Sequence, residues 1–493
     1  MSISNVGSIV LHLVVFVTTL VNFHSALSHV EPVLLIGIYI ASKLLTRGPD
    51  DFFDIEIAVN GYVTPGEDYF NRGGAASPVQ SISREQQEKR RPTIPPGSLN
   101  AESLARMISG ARRYKGGKIG IRDRICCHQW TWFTMTMATG GVANVLHSIW
   151  TPYRADWLWY IGLVFFLLNL CLFVMNCVLI TMRFVMVPGS FMSSFQDQVE
   201  SLFIPAVVVS IGTILINTCE YGIPNTGPWL RHTMEWLFWI YIVVSVVASA
   251  GMYLVLWSTQ IFPIHTMTPV WVFPAYPLLL TAPFAGNLIA ADEATSSGSP
   301  VDRLAIAMCA VTVQGTGFLI SFMICAAFIY RLMTQKLPRD MQRPGVFISI
   351  GPSGFTVAGL VSLGQQTQVF IPDTFQGSTH SIVILRLLST VIGLWLWGLS
   401  VWFFLVSVGS LWKYMRPKCK MPFQMTWWSF VFPNTALVTA TLALATAVGS
   451  NGLRIAGCVM AGLLIVVWVL VLLRMLRCLW NKELLWPKEL EAE

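Results

Sequence analysis

Residues 429–450 read SFVFPNTALVTATLALATAVGS, inside a run from Met421 to Leu453 that holds no Lys, Arg, Asp or Glu. A helix needs about 20 apolar residues to cross the hydrocarbon core of a bilayer, and this run exceeds that. Pro433 falls within it, where proline removes a backbone hydrogen bond and clashes with the preceding turn. Lipid offers the freed groups no partner, so an interrupted membrane helix persists only where protein or a water-filled cavity receives them. The reading of the fold turns on what Pro433 faces.

The rest of the chain is built the same way. Of its 493 residues 54% are hydrophobic and 12% charged, against about 25% charged in ordinary soluble domains, which makes it an all-α integral membrane protein. The net charge of +7 is spread over the connections between apolar runs, which excludes a nucleic-acid-binding face. Cys171, Cys177, Cys309, Cys325 and Cys458 lie singly in apolar runs and read as buried free thiols. Cys126, Cys127 and His128 lack the second half of a zinc site, so neither metal nor cofactor is expected. As juxtamembrane cysteines, Cys126 and Cys127 are either free or palmitoylated.

Residues 1–46 form a hydrophobic extension with two apolar stretches, IVLHLVVFVTTLVNF and PVLLIGIYIASKLL. They are short for two crossings, and no Lys or Arg precedes Lys43 to make the basic start of a secretory signal. A hairpin, a re-entrant element and a misassigned start all remain open. Residues 47–128, with SPVQSISREQQEKRRPTIPPGSLN at their centre, have the composition of a disordered, basic cytoplasmic segment. Residues 129–480 carry ten apolar runs, near 129–150, 155–182, 201–219, 229–258, 266–291, 301–330, 345–366, 381–412, 427–449 and 455–473, and 481–493 form a tail. Placing the polar segment inside puts Arg183, Arg331 to Arg343, Lys413 to Lys420 and the basic tail on the same side. By the positive-inside rule both ends of the ten-helix unit are then cytoplasmic.

The odd-numbered runs share a signature that the even ones lack. The third, fifth, seventh and ninth contain FIPAVVVSIG, FPAYPLLLTAPFAG, SIGPSGFTVAGLVSLG and FVFPNTALVTATLA, whose Pro205, Pro277, Pro352 and Pro433 are 72, 75 and 81 residues apart. The first run has TGGV instead, and Gly141 precedes Pro205 by 64 residues. Five pairs, each of one broken and one continuous helix, predict five hairpins in pseudo-five-fold order around a central pore. The breaks at Gly140, Gly141, Pro205, Pro277, Pro352 and Pro433 would line that pore, and the continuous helices would face lipid.

The broken helices carry no charged side chain within these runs. The second half of a broken helix presents free N–H groups and a partial positive charge, which attract an anion. Thr139, Thr213, Thr281, Ser353 and Thr435 are candidate hydroxyl donors, with Ser210, Thr356 and Thr439 beside them. An aromatic residue flanks each proline: Phe203, Phe273, Tyr276, Phe355 and Phe432. Pointing inward, these rings would close the path by steric block or dewetting; pointing outward, they would pack between helices. Phe238, on a continuous run, reads as lipid-facing.

TMATGGVANVLH, GIPNTGPWL, TPVWVFPAYPLL and RPGVFISIGPSGFT resemble the tellurite-resistance/dicarboxylate transporter family, and the similarity covers about residues 120 to 490. The first and last of these motifs most resemble its fungal malate branch. The resemblance implies five helical hairpins around a pore, a homotrimer, and a gating phenylalanine in the ninth helix, which FVFPNT places at Phe432. It also implies plasma-membrane transport of malate and other C4-dicarboxylates, with a proton; sulfite efflux or an anion channel is the alternative within the family. His147 in the first run is either the proton-linked group, since histidine titrates near neutrality, or a packing residue. Glu235, four residues after Arg231, reads as a structural i,i+4 pair. The eight histidines are scattered outside any hydrolase or acyl-transfer motif, which argues against an enzyme.

Overall fold

A computed structural model describes residues 119–149, 155–294, 301–372, 375, 378–416 and 421–486. The hydrophobic extension, most of the polar segment and the end of the tail lie outside these residues. Disorder does not reach the last part of 47–128. Ile121–Ile125 is a short helix, and Arg183 donates to the His128 carbonyl at 2.8 Å.

The ten apolar runs become ten helices: α1 (Phe133–Ser148), α2 (Asp156–Met186), α3 (Ala206–Asn217), α4 (Pro228–Thr259), α5 (Thr281–Ala294), α6 (Arg303–Gln335), α7 (Ile350–Gln365), α8 (Ser378–Ser410), α9 (Phe432–Val448) and α10 (Asn451–Trp480). Among the described residues nine helical spans are long and apolar enough to cross a membrane. The first run is not among them, because Thr131, Thr134, Thr136, Thr139, Asn144 and His147 dilute its apolar content. The even-numbered helices are long because no proline interrupts them. Pro228 opens α4, where its missing N–H costs nothing, and the Asp302 and Ser450 side chains cap α6 and α10.

Each odd-numbered helix is preceded by a 3₁₀ segment: Trp130–Trp132, Ser201–Phe203, Pro269–Leu280, Asp340–Ser349 and Met425–Phe430. These composite spans are the inner elements. The four that qualify as membrane spans are 67–94% buried over their most apolar window, against 22–39% for α2, α4, α6, α8 and α10. Contacts run α1–α3–α5–α7–α9 and back to α1, closing a ring.

The prolines do not break α-helices from within. Pro205 caps α3, Pro433 is the second residue of α9 and Pro352 the third of α7, all within a first turn that has no use for their N–H. Pro277 lies in the 3₁₀ segment before α5. The interruption is the change from 3₁₀ to α winding. Gly140 and Gly141 interrupt nothing, since α1 runs through them. They are small because neighbours come close: a Cβ on Gly141 would lie 2.8 Å from Thr435 Oγ1.

The outer helices receive carbonyls at these junctions, the requirement that lipid imposes. Tyr241 of α4 donates to Pro277 O at 3.0 Å, Ser400 of α8 to Ile350 O at 2.9 Å, and Asn176 of α2 to Trp132 O at 3.2 Å. Trp468 of α10 donates to Thr139 of α1 at 3.2 Å, fastening the last helix to the first.

Candidate functional site

A cavity of about 320 Å³ opens where the inner helices end. All five inner spans line it, from Gly141, Asn144 and Ser148 of α1 to Thr435, Thr439 and Thr446 of α9, and no outer helix contributes a residue. The wall carries no formal charge: its polar groups are threonine and serine hydroxyls and the amides of Asn144, Asn287, Gln365 and Gln366. Phe355 and Phe432 form its floor.

Below that floor the aromatic residues beside the prolines meet in one cluster. Phe203 lies 4.8 Å from Phe273, Phe273 stacks on Tyr276 at 5.2 Å, and Tyr276 contacts Phe432 at 5.9 Å and Phe355 at 6.3 Å. Phe355 and Phe432 close the set at 5.1 Å. All five are buried. The Tyr276 hydroxyl donates to Ile348 O at 2.6 Å, which fixes its ring. The starts of α3, α7 and α9 adjoin this cluster, and the 3₁₀ segment before α5 carries Phe273 and Tyr276 into it.

Several expectations about the wall need correction. Of the predicted breaks only Gly141 lines the cavity; Gly140, Pro205, Pro277, Pro352 and Pro433 do not. Pro433 therefore does not face the cavity, and its neighbour Phe432 does. Of the hydroxyl donors, Thr213, Thr435 and Thr439 reach the cavity. Thr139, Ser210, Thr281, Ser353 and Thr356 do not; Thr281 reaches Ala310 O of α6, and Ser353 and Thr356 pair with Ser400 and Gln314 of the outer helices, while all eight hydroxyls also donate to a carbonyl of their own span. At the α9 junction the expected free N–H groups are in part used up: Val431 donates to Trp428 O and Thr435 to Val431 O, both at 3.0 Å. The 3₁₀ segment supplies the carbonyls that a true helix start lacks.

Sequence reading passed over the amides. Gln365 is a lining residue, and its Nε2 is buried without a hydrogen-bond partner among the described residues. Its signal was only a glutamine at the end of an apolar run.

The inner spans also hold two buried acids just past the apolar runs. Glu220 follows α3, and its Oε1 lies 3.8 Å from His147 Nδ1. His147 packs edge-on against Tyr221 at 5.4 Å and does not line the cavity, although Asn144 and Ser148 on the same helix do. Asp292 of α5 contacts Arg231 of α4 at 3.1 Å and Arg303 of α6 at 2.5 Å. Arg231 is thus partnered across elements, while Glu235 pairs with His232 at 3.6 Å. Phe238 is fully buried and meets Phe284 of α5 at 5.4 Å, so it faces protein and not lipid. At the opposite end Arg183 grips Glu200 through both carboxylate oxygens. Burial, with Arg183 nearby, holds the His128 imidazole down to about 4.

A ring of buried, interrupted spans around an uncharged polar cavity, sheathed by continuous apolar helices, defines a membrane protein that passes a small solute. The sequence model of the voltage-dependent anion channel family matches residues 128–476, and the chain belongs to that family. It is similar to the malic acid transport protein of Schizosaccharomyces pombe, 26% identical over 76% of this chain and 83% of the relative. A putative malic acid transport protein of the same yeast is 27% identical over 76% of this chain and 85% of its own. A sulfite efflux pump of Trichophyton rubrum is 24% identical over 69% of this chain and 88% of the pump. The protein is an anion transporter, and its family is one of transporters and channels.

Proposed function

We propose that the protein carries four-carbon dicarboxylates such as malate across the plasma membrane, together with a proton. The observation that carries this reading is the cavity: every inner span lines it, no charged side chain does, and its polar groups are amides and hydroxyls. Neutral donors hold an anion weakly enough to release it. Malate is favoured by the similarity to the yeast malic acid transport protein. Sulfite is the second reading, favoured by the similarity to the sulfite pump. The inner and outer helices make five hairpins around one path with α1 as a tenth crossing, both ends of this unit are cytoplasmic, and three copies assemble.

Uptake of labelled malate, succinate and sulfite by cells lacking their own carriers tests the reading; transport of sulfite alone would replace malate as substrate. A second expected result concerns pH. With no charged group in the cavity wall, the permeant form is the monoanion bringing its own proton. Its fraction grows as external pH falls through the acid's second ionisation, so uptake rises on acidification. Equal rates for monoanion and dianion would refute this. His147→Gln flattens the profile while sparing transport if His147 with Glu220 assists the proton; an unchanged profile makes His147 a packing residue.

A further inference from the structure

Asn169 of α2 is fully buried, and neither its amide nitrogen nor its oxygen has a hydrogen-bond partner among the described residues. A carboxamide can make four hydrogen bonds, and a buried polar group left unmet destabilises the fold. The other asparagine on the buried face, Asn176, uses its amide on Trp132 O. Asn169 instead abuts Gly140. A Cβ built there would lie 2.6 Å from Asn169 Nδ2 and 2.6 Å from Thr213 Oγ1. Two atoms so placed are no more than twice that distance apart, and one water at about 2.9 Å from each spans such a gap.

Thr213 is the connection to the anion path. Thr213 lines the cavity, and its hydroxyl donates to Ser210 O at 2.8 Å. Asn217, one turn further along α3, donates to Gly140 O at 2.9 Å and leaves its own Oδ1 without a partner. Behind Thr213, then, Asn169 and Thr213 both close on Gly140, and a side chain there would drive them apart. Buried groups of this kind are characteristically met by ordered water.

We propose that Asn169 is a positioning residue for the transported anion, acting through an ordered water held between its amide and Thr213. The inference rests on the reading of the cavity as the anion path. The water donates to a lone pair of Thr213 Oγ1 and polarises the hydroxyl, as chained hydrogen bonds do. The Thr213 proton then turns from Ser210 O to an anion oxygen.

Asn169→Leu, which keeps the branching of the side chain, tests this with Thr213→Val. With the full chain purified in detergent, Asn169→Leu is expected to melt below wild type, since it strands the water. Adding Thr213→Val should cost less than the sum of the two single changes, because both remove partners of one water. An Asn169→Leu protein that melts at or above wild type, or additive losses in the pair, overturns the site. In transport of whichever anion the wild type carries, the KM of Asn169→Leu rises about three- to tenfold, the worth of one hydrogen bond, with kcat per molecule retained. An unchanged KM overturns the role in anion positioning. If the wild type carries none of malate, succinate or sulfite, the proposed substrates fail, while the melting cycle still decides whether the water site exists.

Discussion

Phe432→Ala is expected to raise anion current per protein molecule by at least about tenfold, equivalent to about 1.4 kcal/mol off the barrier to passage. Phe432 forms the cavity floor with Phe355 and is braced by Tyr276 and Phe355 beneath it. Removing its ring opens the cavity floor that it forms with Phe355. Discrimination between small and large anions should fall with it. Truncating a buried phenylalanine costs about 3–5 kcal/mol of stability, so the control must be equally buried and away from the path. Phe284 meets this requirement: it is fully buried on α5 and packs outward against Phe238 and Tyr241. Both variants should reduce the amount of protein at the membrane, and only Phe432→Ala should raise the current each molecule carries. Wild-type current and selectivity in well-expressed Phe432→Ala would remove the gate from this residue.

Asp292→Ala should be the most damaging single change at the ends of the helices. The carboxylate is fully buried between Arg231 of α4 and Arg303 of α6, and the Arg231 side chain is only 2% exposed. Removing the acid leaves a buried guanidinium without its counter-charge, which typically costs about 3–5 kcal/mol. Little folded protein is expected on size-exclusion chromatography, with a sharply lower melting temperature. Combining Asp292→Leu with Arg231→Met removes acid and base together and should recover most of the loss, because an apolar replacement of a buried ion pair is tolerated far better than half of one. A melting temperature of Asp292→Ala equal to wild type would show that the two arginines are met without it.

The alternation of inner and outer helices was legible because two signals coincide in the odd runs, a recurrent proline and a tract of small and hydroxylated residues. The aromatic cluster was legible for a related reason, since each ring lies within four residues of one of the recurrent prolines and so falls at a similar depth. Which hydroxyls face the cavity was not legible. Helical phase decides it, and the 3₁₀ lead-in shifts that phase by an amount only the packing sets, so Thr213 and Thr435 point inward while Thr281 and Ser353 point to the outer helices. Gly140 and Gly141 were mistaken for a break because glycine has two uses, release of backbone conformation and close approach, and the sequence around them fits either. Glu220 and Asp292 were lost at the edges of apolar runs, where hydropathy stops counting a residue that burial still includes. Asn169 stood in plain view in an apolar run; only the depth at which α2 packs makes it matter.

The cavity has a consequence for how the membrane voltage acts on the protein. Its volume of about 320 Å³ corresponds to roughly ten waters at about 30 Å³ each. A column of water that size conducts, so the electrical potential at the aromatic floor is close to that of the solution into which the cavity opens. The voltage drop is then confined to the rings and the packed 3₁₀ segments below them, and does not spread over the full hydrocarbon thickness of about 30 Å. Moving one elementary charge across the membrane involves about 2.3 kcal/mol per 100 mV, and on the proposed path nearly all of that work falls where the anion would pass Phe355 and Phe432. On that path entry into the cavity senses concentration alone, and passage of the rings senses the voltage.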